Sequence, residues 1–170
     1  MQKGRIVIAT LALVVLFLGV AGCSTPPSAK SNFNLIFKYG VGARNELNTF
    51  EGTYTKDMIG DPSITVPLSL TEEELNKIYR KMVEIDFFSY PERFSVPVPP
   101  GGITGMVTPY SGYYFEVAYD SKIKQLWWDD EITNENIKAD KLRKLSQLIR
   151  DIIESKDEYK QLPPAKGGYL

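Results

Sequence analysis

The chain has 170 residues, 20 basic and 21 acidic, for a net charge of −1, with no histidine and one cysteine. The missing histidine excludes Ser-His-Asp, Cys-His and zinc-type sites and removes the commonest general base. The slightly acidic balance argues against nucleic acid, whose phosphates demand a basic face, and one cysteine cannot form a disulfide within the chain.

The N-terminus carries Lys3 and Arg5 ahead of an uncharged apolar run from Ile6 to Val20. Fifteen residues fall short of the roughly 20 that a helix needs to cross a bilayer. A basic start, a short apolar run and small residues at its end describe a secretory signal. Val20-Ala21-Gly22-Cys23 resembles the lipobox of bacterial lipoproteins. That resemblance implies that Cys23 receives a diacylglyceryl group and that residues 1–22 are removed. The implied location is the extracytoplasmic face of a cell membrane, held by lipid (the palmitate-type anchor of such proteins). An ordinary cleavable signal with a free thiol and an uncleaved membrane helix are the alternatives. Two acyl chains suffice for stable anchoring. Without Lys3 and Arg5 the net charge becomes −3.

Residues 23–32, with Ser24, Thr25, Pro26, Pro27 and Ser28, read as a disordered tether. Residues 33–158 are expected to form a single α+β domain, and residues 159–170, with Pro163-Pro164 and Gly167-Gly168, a flexible tail. Phe33, Leu35, Phe37 and Tyr39 alternate with more polar residues, the pattern of a half-buried strand. The glycines of Gly40-Val41-Gly42 lack the Lys-Ser/Thr of a phosphate loop, so a turn between strands is expected. A second strand is expected within Leu47–Met58, a break at Gly60-Asp61-Pro62, and an edge strand or strand end at Ile64–Leu68 because Pro67 cannot donate to a ladder.

Leu70–Phe88 is the best-marked element. Thr71 and Glu74 form a T-x-x-E capping box, and Leu70 and Leu75 a hydrophobic staple. Leu75, Ile78, Tyr79, Met82 and Ile85 follow at helical spacing. Residues 96–112, rich in Pro and Gly, are expected as a long loop, either mobile or functional. Tyr113–Tyr119 and Lys122–Trp128 read as a hairpin turning at Asp120-Ser121. Asp129-Asp130-Glu131 lacks the spaced ligands and glycine of a calcium loop and reads as a solvated turn, so no metal ligand and no cofactor are expected. Leu142, Leu145, Leu148, Ile149, Ile152 and Ile153 mark a second amphipathic helix over about 139–155.

The expected fold is therefore α+β: an antiparallel sheet of about four or five strands with two amphipathic helices on one face. Its order is strand, strand, a third strand left open, helix, loop, hairpin, helix. The T/S-x-E-E-L helix ending in a Phe pair (Thr71, Glu73, Glu74, Leu75, Phe87, Phe88) is similar to that of small uncharacterised lipoproteins of Gram-positive spore formers. The resemblance implies no activity and no site.

Two functional classes remain open. One is a non-catalytic binding or interaction module whose contact residues are Tyr110, Tyr113 and Tyr114 at the loop exit and Trp127 and Trp128 at the hairpin end. Adjacent strand residues point to opposite faces, so the two tryptophans cannot share one core. Its partner would be an envelope protein or a cell-wall glycan. The other is a cell-wall-acting hydrolase using two carboxylates, drawn from Glu116, Asp129, Asp130 and Glu131.

Overall fold

The computed structural model describes residues 32–169, so the expected signal segment, Cys23 and nearly all of the expected tether lie outside the described residues. The fold is α+β: one seven-stranded sheet with its helices on one face. In chain order its strands are β1 (Asn34–Gly40), β2 (Asn45–Asn48), β3 (Thr53–Met58), β4 (Asp61–Pro67), β5 (Arg93–Phe94), β6 (Gly112–Tyr119) and β7 (Lys122–Asp129). The helices are α1 (Glu72–Glu84), α2 (Ile137–Ser155) and the one-turn α3 (Asp157–Lys160). Across the sheet the strands run β4-β3-β2-β1-β6-β7-β5. Every neighbouring pair is antiparallel except β5 with β7, which makes the sheet mixed.

Four or five antiparallel strands was thus too few, for identifiable reasons. The single strand expected in Leu47–Met58 is two, β2 and β3, paired through Leu47 and Tyr54 around a turn at 49–52. The expected break at Gly60-Asp61-Pro62 is only a tight turn, with Ile59 at φ 62°, and β4 starts at Asp61. β5 is two residues long, too short to carry any periodicity, and it pairs in parallel with Trp127 and Trp128.

The capping box of α1 is present in both directions. Thr71 Oγ1 accepts from the Glu74 amide at 3.2 Å, and Glu74 Oε2 accepts from the Thr71 amide at 2.7 Å. Lys156, just beyond α2, reaches the same Glu74 oxygen at 2.6 Å and so ties the end of one helix to the start of the other. Burial opposes ionisation of Glu74, but Lys156 and the Thr71 amide outweigh it and hold its carboxyl below the ordinary range. The helix stops at Glu84, short of the expected Phe88, because Asp86 turns left-handed at φ 58°; Phe87–Ser89 continue as a 3-10 turn. α2 begins at Asn136, whose side chain accepts from the Ala139 amide at 3.0 Å.

The core lies between the sheet and the two long helices. Leu35, Phe37 and Tyr39 of β1, Phe115 and Val117 of β6, and Leu126 and Trp128 of β7 face Ile78 and Met82 of α1 and Leu142, Leu145 and Ile149 of α2. Two expected irregular regions are held in place. The 96–112 segment is irregular up to Gly112, where β6 begins, yet Val107 donates to Glu131 O at 2.9 Å and Thr133 to Gly105 O at 2.9 Å. Gly105 allows this close approach, since a Cβ there would meet Thr133 Oγ1 at 2.3 Å. The segment from 159, expected as a flexible tail, lies along β3. Lys56 Nζ bonds Pro163 O at 2.8 Å, Lys166 bridges Ile59, Tyr169 bonds Asp57, and the Tyr159 ring packs at a tilt against Tyr54. Among the described residues no helix is long and apolar enough to cross a membrane.

Candidate functional site

Strand alternation splits the five aromatic candidates. Tyr113 and Trp128 are cross-strand partners on the core face, stacked with ring centroids 5.2 Å apart, and Trp128 is 2% exposed. Phe94 meets Trp128 edge-on at 5.8 Å, and the Arg143 guanidinium lies 5.5 Å above it. These two side chains belong to the core. Burial pushes the Tyr113 hydroxyl above its ordinary range. Tyr110 is partly buried in the loop and joins neither group.

Tyr114 and Trp127, also cross-strand partners, occupy the opposite face, which no helix covers. Their ring centroids are 4.1 Å apart, and Trp127 is 41% exposed while Tyr114 beneath it is buried. The two form an aromatic step on the open face, toward the β5 edge of the sheet.

A polar row continues the step across the sheet. Tyr114 Oη donates to Glu116 Oε2 at 2.6 Å, and Gln125 Nε2 donates to the same oxygen at 2.9 Å. Lys38, in register with both Tyr114 and Glu46, pairs with Glu46 at 2.8 Å. Tyr114, Gln125 and Lys38 together hold the Glu116 carboxyl below the ordinary range. Desolvation, and then the bond to Glu116, pushes the Tyr114 hydroxyl up. Every polar group of the row has a partner before any ligand arrives, so the surface is preorganised.

The lowered carboxyl has a consequence for stability. A depressed folded-state pKa contributes stability above the unfolded-state value, and this is lost as pH falls through the folded value. The stability difference between the wild type and Glu116→Gln should therefore be full at neutral pH and shrink as pH falls below the ordinary carboxylate range. Urea melts of both proteins at neutral and acid pH check this, and a pH-independent difference would contradict it.

The four candidate carboxylates do not gather in one place. Glycoside hydrolysis places its two carboxyls about 5–9.5 Å apart. Glu116 faces Gln125, and Asp129 lies four residues further along β7, roughly 13 Å at the usual strand rise. Asp130 is engaged by Arg143 at 2.9 and 2.5 Å, while Asp129 and Glu131 line one small cavity beside Trp127 and Trp128. Among the described residues no group of three or more His, Cys, Asp or Glu side chains is arranged to hold a metal ion.

Lys38, Glu46, Glu116 and Gln125 join the site through register, and only Glu116 stood out in the sequence, as an acid. The available signal was spacing: Gln125 is two residues from Trp127 and Glu116 two from Tyr114, so each pair shares a face. Comparison with protein-family models, with curated proteins and with solved structures finds no match to this chain.

Proposed function

We propose that the protein is a lipid-anchored extracytoplasmic binding module, held to the membrane through Cys23 and meeting its ligand on the open sheet face. The reading is carried by Trp127, a large aromatic 41% exposed on a preorganised face and supported from below by Tyr114. Indole rings offer rigid apolar area at low entropic cost and are enriched where contacts carry binding energy. The polar row beside it offers hydrogen-bonding groups on a flat surface, which suits an envelope protein or a cell-wall glycan. The lipobox-like Val20-Ala21-Gly22-Cys23 supports the anchor.

The test uses the full-length protein in its native membrane. Cys23→Ala should shift the protein to the soluble fraction; retention on membranes would contradict the anchor. Acrylamide should quench one of the two indoles readily and the other hardly at all. Trp127→Ala should weaken capture by purified cell-wall glycan, or cross-linking to an envelope protein, by about 30-fold, the scale of a 2 kcal/mol hot spot. Unchanged capture of both ligand classes would remove the open face from consideration.

A further inference from the structure

The side of the domain opposite Trp127 also has a distinct character. A shallow groove of about 760 Å³ runs between α1 and α2 on their outer surface. Lys77, Arg80, Lys81 and Lys144 line it, against Glu73 and Glu84. Lys81 is committed to Glu84 at 2.6 Å. Lys77, Arg80 and Lys144 have no ion-pair partner among the described residues. Lys141, exposed one turn before Lys144, extends the same stripe of α2. Unpaired positive charge is thus gathered on one side of a chain whose net charge is −1.

The chain enters the fold against α1, across the helix from this groove. Phe33 packs edge-on against Tyr79 of α1 with ring centroids 5.3 Å apart, and Tyr79 immediately precedes Arg80. Nine residues, Ser24 to Asn32, separate Phe33 from Cys23. Nine residues reach at most about 30 Å. α1 is about 20 Å long and about 10 Å across, so an extended tether reaches round it to the groove.

We infer that the outer side of the helical layer rests on an anionic lipid surface, so that the anchor holds the module in one orientation with Trp127 turned away from the membrane. The reach argument rests on the reading of Cys23 as the lipidated residue; the charge argument does not. Lipid phosphates supply the charge that Lys77, Arg80 and Lys144 lack. Each basic residue near an anionic membrane strengthens association about fivefold; against Glu73, unpaired among the described residues, the three leave a net of two charges, about 25-fold. On a domain already tethered to the surface the contact is intramolecular, so that factor acts directly as the preference for this orientation over one that presents no net charge. Because helices and open face lie on opposite sides of one sheet, docking the first displays the second.

The test reconstitutes the lipidated full-length protein on vesicles of phosphatidylcholine alone or with added phosphatidylglycerol. Flotation with the uncharged vesicles reads the anchor. Amine labelling followed by mass spectrometry reads the orientation. Lys77 and Lys144 should label at least about tenfold more slowly on anionic than on uncharged vesicles, with protection lost in high salt. Lys38, on the open face, should label equally on both. The Lys77→Gln, Arg80→Gln, Lys144→Gln triple variant, all at surface positions, should still float and should lose protection at Lys81 and Lys141. Flotation with equal labelling on both vesicle types overturns the inference and leaves the anchor standing. Failure to float with uncharged vesicles, with protection retained on anionic ones, overturns the anchor and leaves the helical contact standing. Protection produced by a soluble anionic polymer and not by vesicles assigns the groove to that polymer and overturns the lipid assignment.

Discussion

Replacing Phe115 by Ala should lower the unfolding free energy by about 3–5 kcal/mol, the range for truncating a buried phenylalanine. Phe115 is fully buried on β6, at the middle of the sheet, with ring centroids 4.9 Å from Phe37 and 5.3 Å from Phe87. Its neighbours come from three places in the chain: β1, the turn after α1, and β7 through Leu126 in register. A cavity there has backbone ladders on both sides, since β6 pairs with β1 and β7 along its length, and those strands cannot collapse into it. No disulfide opposes the loss, because the chain has one cysteine. Domains of this size have about 5–15 kcal/mol in all, so the variant stands close to the threshold of folding. Urea denaturation should show a lower midpoint with an unchanged slope. Phe115→Leu, which keeps most of the volume, should lose less than about 1.5 kcal/mol. A loss below about 1 kcal/mol for the alanine variant would mean that the aromatic cluster is not the centre of the core.

Some of this architecture was legible in the residues and some was not, and the difference is physical. Thr71, Glu74, Leu70 and Leu75 announce α1 because capping and stapling are local: their partners lie within four residues. The β6–β7 hairpin was legible for the same reason, its ends joined by two residues. β5 was not, because two residues carry no period and what makes Arg93 and Phe94 a strand is β7, more than 30 positions away. Residues 159–169 looked frayed by composition, yet Tyr159 and Lys166 find β3 and the residue after it about a hundred positions back. Contacts of that range leave no mark on the local sequence.

The candidate surface follows the same rule. That Trp127 and Trp128 must part was readable from alternation alone. Which of them would face water was not, since that depends on which side α1 and α2 cover. The helices cover Trp128, with Arg143 of α2 lying over its ring, and leave Trp127 open. Tyr113 and Tyr114 then sort without further freedom, because register places Tyr113 beside Trp128 and Tyr114 beside Trp127. The basic groove was less visible still: nothing local marks Lys77, Arg80 and Lys144 as a group, and only two helices distant in sequence set them side by side.

Arg143→Ala should destabilise the protein by about 2 kcal/mol and release residues 103–109 well before global unfolding. Arg143 makes a bidentate contact with Asp130 at 2.9 and 2.5 Å, reaches Asp140 at 2.7 Å and covers the ring of Trp128. It also approaches the Ile132 carbonyl at 3.4 Å, and Ile132 is the residue that Met106 bridges. One side chain therefore connects α2 to the segment on which the 103–107 stretch is hung. The Asp130 bond, foremost, pushes the guanidinium pKa above its ordinary value. Asp130's side chain is 15% exposed, so removing its partner leaves a carboxylate with little water to replace it. Losing one member of a fully buried pair costs about 3–5 kcal/mol; with Arg143 34% exposed, solvent screening reduces that to about 2. Arg143→Lys should recover less than half, because an ammonium cannot reproduce the two parallel bonds. Hydrogen exchange separates this local role from a general one. In Arg143→Ala the amides of Gly105 and Val107, which bond Asn134 and Glu131, should exchange at least tenfold faster than any global loss accounts for. The β1 and β6 amides should change only by the global amount. Uniform acceleration across the sheet would mean that Arg143 supports the core as a whole and does not act as the clamp on the loop.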